Sequence, residues 1–301
     1  MASYKHILVS GGTGFIGSAL VEELLKRGHY IKIITRNPDK YQESAKNLQY
    51  ISWQDDLVAY TNEADIVVNL AGENIFGKRW TDTVKKRLRQ SRVDLTQSLV
   101  KTMRKAESPP DVFVSASAIG YYGDTRDNVV DEQQQAGDDF LAQVCVDWEK
   151  EAHKAESLDV RVVIPRLGIV LEKGGGALET MLPAFKMFVG GPVGSGDQYV
   201  PWVHLTDIVN GFIAAIEDEE LSGVYNFCAP NPVKMDTFAD ALASALNRPS
   251  LFKVPSIVLK TALGEAATPI LASIRAEPKR LLDAGFEFRY DDIYLAMSDI
   301  V

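Results

Sequence analysis

The stretch Ser10-Gly11-Gly12-Thr13-Gly14-Phe15-Ile16-Gly17 constrains this chain more than any other. It follows an apolar run, Ile7-Leu8-Val9, and leads into Phe15, Ile16, Ala19, Leu20, Leu24 and Leu25, which recur at helical spacing. With a strand before it and a helix after it, the glycine triplet reads as a dinucleotide-binding turn rather than an ordinary loop. Gly11 permits the tight turn, Gly14 lets the backbone approach a pyrophosphate, and Gly17 lets the helix pack close to the strand. The start of the helix then offers unpaired N–H groups and a partial positive charge to phosphates.

The β-branched run Tyr30 to Ile34 gives a second strand, ending in Thr35-Arg36-Asn37-Pro38. An NAD-selective fold places Asp or Glu at this strand end to hold the ribose 2′-hydroxyl. Here Arg36 stands at that position, and a guanidinium suits a phosphate, so the expected cofactor is NADP(H). Further strands are expected over Leu48 to Trp53, Ala64 to Leu70, Asp111 to Ser117 and Val160 to Pro165. Leu70-Ala71-Gly72 leaves the fourth strand at its carboxyl end, where small residues let a cofactor ribose come close. One long helix is expected from about Thr81 to Lys105, carrying a basic run in which Arg92 lies deepest in the apolar pattern. The next helix is expected over Phe140 to Glu156.

Strands alternating with helices over roughly the first 165 residues imply a doubly wound parallel α/β sheet. Beyond them, glycine-rich segments at Gly174 to Gly176 and Gly190 to Gly196 bracket a helix over Ala177 to Val189. Thr206 is the expected N-cap of the following helix, and Gly223 to Asn226 a further strand. The expected architecture is a Rossmann domain of residues 1–168 and 204–228, with a smaller, mainly helical substrate lobe of residues 169–203 and 229–301.

Among 301 residues the formal net charge is −9, which argues against nucleic acid or an anionic membrane as partner. No apolar run reaches the ~18–20 residues a bilayer span requires. Cys145 and Cys228 cannot build a disulfide framework, and a strand almost at the N-terminus leaves no room for a signal peptide; both point to the cytoplasm. No residue cluster has metal-ligand spacing. A small-molecule substrate is the expected partner, and a homodimer stays open.

The ordered motifs resemble those of the extended short-chain dehydrogenase/reductase (SDR) superfamily, the nucleotide-sugar epimerase/dehydratase group. Within it the chain is similar to the atypical YfcH-like epimerase family. The matching stretches include Gly11 to Gly17, Asn69 to Ile75, Arg79-Trp80, Ser91-Arg92-Val93 and Ser117 to Gly123. Farther on come Gly194-Ser195-Gly196, Pro201 to His204, Ala229 to Val233 and Ala284 to Phe288. The resemblance implies an NADP(H)-holding Rossmann lobe, with Thr35 and Arg36 near the 2′-phosphate. It also implies that Leu70, Ala71 and Arg92 lie along the cofactor, with Val170 near the nicotinamide.

Ordinary superfamily members use a Tyr-x-x-x-Lys pair on the helix after the fifth strand, the lysine lowering the tyrosine pKa. Aligned on Trp148-Glu149, this chain has Leu141 and Cys145 there, and none of its tyrosines has a lysine four residues on. YfcH-like proteins lack the pair too. The remaining candidates for catalysis are Ser117, Tyr121 and Tyr122 at the carboxyl end of the fifth strand. Cys145 reads as inert packing and His204 as structural. Two functions stay open: an NADP(H)-dependent oxidoreductase or epimerase on a small polar carbonyl or alcohol, and a non-catalytic NADP(H) or metabolite sensor.

Overall fold

The computed structural model describes residues 4–76 and 78–301. The aliphatic runs form strands β1 (His6–Ser10), β2 (Tyr30–Thr35), β3 (Leu48–Ser52), β4 (Ile66–Asn69) and β5 (Val112–Ser115). After β5 come the short β6 (Ser117–Ala118) and β7 (Val129–Val130), then β8 (Arg161–Leu167) and β9 (Ile169–Leu171). The last are β10 (Tyr199–Val200), β11 (Trp202–His204), β12 (Gly223–Phe227), β13 (Val233–Lys234) and β14 (Arg275–Ala276). The central sheet runs β12-β8-β5-β4-β1-β2-β3, all parallel, with β6 joined to β8. Strand order reverses on either side of β1, which opens a crevice at the carboxyl ends of β1 and β4.

Helices α1 (Phe15–Lys26), α2 (Leu57–Asn62), α3 (Asp82–Gln90), α4 (Val93–Lys105) and α5 (Phe140–His153) connect the first strands. Then follow α6 (Gly176–Lys186), α7 (Leu205–Glu217), α8 (Met235–Leu246), α9 (Ser256–Leu263), α10 (Thr268–Leu271), α11 (Lys279–Asp283) and α12 (Ile293–Ile300). Because side chains alternate along a strand, Ile7 and Val9 pack with Leu20 and Leu24 of α1 and Phe212 of α7, while Leu8 packs with Leu99 and Met103 of α4. Each such fully buried aliphatic or aromatic residue stabilises the fold by roughly 1.5–3 kcal/mol. A separate core holds Leu178 and Phe185 of α6, Phe238 and Leu242 of α8, Met297 of α12 and the fully buried Trp202. No helix among the described residues is long and apolar enough to cross a membrane.

Two local expectations are corrected. The single helix over Thr81 to Lys105 is two, broken at Ser91 and Arg92. Ser91 Oγ donates to the Leu88 carbonyl and accepts from Glu73 N–H, while the Arg92 guanidinium donates to the carbonyls of Leu88 and Glu73. These side-chain bonds draw the turn toward the Glu73 loop and end α3. At α7 the N-cap is His204, not Thr206: its Nδ1 accepts from the Thr206 N–H at 3.1 Å. Imidazole here supplies the acceptor that a hydroxyl or carboxylate usually provides.

Candidate functional site

The glycine turn sits at the carboxyl end of β1, pressed against the end of β4. Gly11 adopts φ +76°, and a Cβ there would lie 2.6 Å from the Leu70 carbonyl carbon. A Cβ on Gly17 would lie 2.2 Å from the Gly11 carbonyl oxygen, so only glycine lets α1 start this close to the strand. Gly14 is the N-cap of α1 and no side chain caps the helix. Thr13 and Gly14 are exposed, and Gly12 is packed on the Ile33 side chain.

Around this turn the structure gathers most of the residues expected from sequence. Thr35 ends β2 beside it, and Arg36 is exposed with no ion pair among the described residues. Leu70 continues from β4, its N–H donating to the Ser10 carbonyl, and leads into the loop at Ala71 and Gly72. Arg92 turns inward as expected, but its donors go to backbone carbonyls and its guanidinium lies 5.6 Å from the Trp148 ring centroid. It packs beneath Gly72, where a Cβ would stand 3.2 Å from it. Val170 lies buried on β9, and the chain returns through Gly175 and Gly176, which touch the Phe15 ring. Beneath the turn a buried polar chain joins the strand ends: Ser10 Oγ donates to Asn69 Oδ1 at 2.6 Å, and Asn69 Nδ2 donates to Thr96 and Ser115.

The three catalytic candidates fare differently. Ser117 is 1% exposed, and its hydroxyl donates to Glu149 Oε1 at 2.6 Å. Glu149 also receives Arg166 Nε and Nη2, each at 2.8 Å, in a buried two-point ion pair. The third arm of that guanidinium donates to the Tyr122 hydroxyl at 2.9 Å, which itself donates to Asn226 Oδ1 at 2.7 Å. Burial raises the Tyr122 pKa far more than Arg166 lowers it, so the phenol stays protonated and both its hydrogen-bonding directions are occupied. Ser117 and Tyr122, two of the catalytic candidates, thus lie in an interior network with their hydroxyls already hydrogen-bonded. Tyr121 is partly exposed, its ring 3.4 Å from the Arg166 guanidinium carbon, and its hydroxyl has no hydrogen-bond partner among the described residues.

Leu141 and Cys145 occupy the inner part of α5. Burial pushes the Cys145 thiol up to about 12, which disfavours the reactive thiolate, and its sulfur lies 3.8 Å from the Ala118 carbonyl. Leu141 packs against Gly120, next to Tyr121. Sequence reasoning missed Glu149, Arg166 and Asn226 as members of the network. A signal existed: Arg166 directly follows the apolar run Val162-Val163-Ile164-Pro165, and Glu149 adjoins Trp148 on the inner face of α5. A charged residue in such a pattern must find a partner or shift its charge state.

The sequence model of the NAD dependent epimerase/dehydratase family matches residues 7–228, and that of a domain of unknown function (DUF1731) matches residues 254–300. The chain is 41% identical over 305 residues to an Epimerase family protein SDR39U1 homolog, chloroplastic, of Arabidopsis thaliana, covering 99% of this chain and 87% of that one. It is 38% identical over 299 residues to the Epimerase family protein SH2119 of Staphylococcus haemolyticus, with 99% of each covered. The crystal structure of human epimerase family protein SDR39U1 (isoform 2) with NADPH superposes with a TM-score of 0.88 at 34% identity, covering 98% of each chain.

Proposed function

This chain belongs to the NAD dependent epimerase/dehydratase family, and from that premise we propose that it binds NADP(H) and exchanges hydride with a small carbonyl or alcohol. Arg36 carries the reading: an exposed guanidinium without an ion pair among the described residues, where NAD-selective sites place a carboxylate. The NADPH in the human relative supports it, as do the uncapped start of α1 and the glycine cradle that any Cβ would fill. In this reading Gly11, Gly12, Thr13, Gly14, Phe15, Ile16 and Gly17 hold the pyrophosphate. Thr35 and Arg36 take the 2′-phosphate, Leu70, Ala71 and Gly72 line the ribose, and Val170 borders the nicotinamide. Arg92 supports the Gly72 turn from below. Residues 169–203 and 229–301 form the lobe that closes over the substrate.

The cofactor supplies the hydride. The protein must move the accompanying proton, and Tyr121 is the candidate whose phenol is not already hydrogen-bonded among the described residues, its ring lying 3.4 Å from the Arg166 guanidinium carbon. Ser117, Glu149 and Arg166 then fix the Tyr121 loop rather than react. The cofactor reading is tested by calorimetric titration with NADPH and NADH. A lost charge-assisted contact is worth about 1.5–3 kcal/mol, so Arg36→Ala should weaken NADPH roughly 10- to 100-fold and leave NADH nearly unchanged. Equal loss for both cofactors would overturn it.

A second reading, a non-catalytic NADP(H) sensor, is favoured by one observation: Ser117 and Tyr122 are sealed in the interior while Leu141 and Cys145 replace the usual pair. Nicotinamide absorbance with a panel of carbonyl compounds separates the two. Turnover that Tyr121→Phe abolishes at unchanged NADPH affinity supports the enzyme; tight binding with no turnover across the panel supports the sensor.

A further inference from the structure

A cavity of about 190 Å³ opens where α5 from the sheet side meets the chain around α10. Trp80, Phe140, Leu141 and Pro269 supply its apolar lining, and Asp139, Glu265 and Thr268 its polar lining. Trp80 and Phe140 meet edge to face with centroids 5.5 Å apart, which fixes both ring planes. Leu141 ties the cavity to the carboxyl end of β5, because it also packs on Gly120 beside Tyr121. The volume lies below the roughly 300–1,000 Å³ of sites for drug-sized ligands, so whatever enters is small.

The charges around it are arranged against anions. Asp139 borders the cavity, caps α5 by accepting from the Ala142 N–H at 2.9 Å, and has no ion-pair partner among the described residues. Glu265 also borders it and is paired with Lys85, whose ammonium lies 5.3 Å from the Phe140 ring centroid. Of the neighbouring cations, Lys78 and Arg87 pair with Glu73, and Arg89 with Asp94 and Asp147. The Arg79 guanidinium donates to the Thr261 carbonyl. A carboxylate or phosphate entering here would meet two carboxylates, Asp139 and Glu265, and no cation among the lining residues to replace its water.

We infer that this cavity takes an uncharged, flat and largely apolar carbonyl group, and rejects acids, phosphates and other anions. This deepens the hydride-transfer reading and rests on it for the carbonyl, while the charge selection rests on the cavity alone.

The test is a matched pair of probes of one shape, 4-nitrobenzaldehyde and 4-carboxybenzaldehyde, titrated calorimetrically into the full chain saturated with NADP+, which has no hydride to give to an aldehyde. The neutral aldehyde should bind at least ten-fold more tightly than the carboxylate. Asp139→Asn keeps an oxygen to cap α5 while removing the charge, so it should narrow that gap about ten-fold by improving the carboxylate probe alone. Trp80→Ala should weaken the neutral probe at unchanged NADP+ affinity, which locates the binding. Equal or tighter binding of the carboxylate, or no binding of either probe to a chain that still takes up NADP+, would overturn the inference and leave the cofactor reading standing. Failure to bind NADP+ would instead count against the cofactor reading.

Discussion

Replacing Glu149 with leucine isolates a charge the fold has closed in. The Arg166 side chain is 4% exposed and that of Glu149 7%, and the carboxylate accepts three hydrogen bonds at 2.6 to 2.8 Å, two from Arg166 and one from Ser117. Burial opposes a charge on Arg166, but the bonds and charge of Glu149 outweigh it and raise its pKa, so the guanidinium stays protonated. Removing one partner of such a pair costs about 3–5 kcal/mol, because the other charge is left without compensation. The orphaned Ser117 hydroxyl is part of that loss, not a separate addition to it. Against a typical total stability of about 5–15 kcal/mol, Glu149→Leu should lower the urea midpoint severely with little change in slope. The double variant Glu149→Leu/Arg166→Met removes both charges at similar volume and should recover to within about 2 kcal/mol of the parent. Urea titrations followed by circular dichroism decide it. A Glu149→Leu loss under about 1 kcal/mol, or a double variant as unstable as the single, would refute the reasoning.

Other outcomes follow from the same geometry. In Gly17→Ala the new methyl meets the Gly11 carbonyl oxygen at 2.2 Å, which should cost about 1–3 kcal/mol and weaken NADPH binding; unchanged melting temperature and affinity would contradict the close packing. Burial pushes the Cys145 thiol up to about 12 and raises that of Cys228 as well, so neither should react with Ellman's reagent near pH 8 until urea unfolds the chain. Fast labelling of the native protein would show that a thiol is open to solvent. Burial lowers the His204 pKa, so the unfolded chain takes up that proton first. The stability this residue contributes is intact above its unfolded pKa of about 6.5 and is lost as pH falls toward the depressed folded value. His204→Asn keeps an acceptor for the Thr206 N–H without titrating, so its urea midpoint should fall less than the parent's between about pH 7.5 and 5.5; parallel decline would remove His204 from the acid response.

What the sequence determined by itself was whatever depends on near neighbours in the chain. The β-branched runs, the helical recurrence after Phe15 and the glycines at positions 11, 14 and 17 each act within a few residues, so the parallel sheet and its glycine turn were legible before any coordinates. Arg36 was legible for the same reason, being fixed by its place at the end of β2. The interior network was not. Ser117 and Glu149 lie 32 residues apart, Tyr122 and Asn226 104 apart, and Arg166 joins the two pairs only after β6, α5, β8 and β12 have packed together. Local propensity likewise gave one helix through Ser91 and Arg92, but the Leu88 carbonyl of α3 and the backbone N–H and carbonyl of Glu73 drew their side chains and broke it. The small cavity is tertiary throughout, because Trp80, Leu141 and Pro269 share no periodicity. Three hydroxyls looked equivalent as candidates for catalysis, and packing distinguished them. Burying Ser117 and Tyr122 made their hydrogen bonds obligatory and consumed them inside the protein, so of the three only the Tyr121 hydroxyl remains without a partner among the described residues.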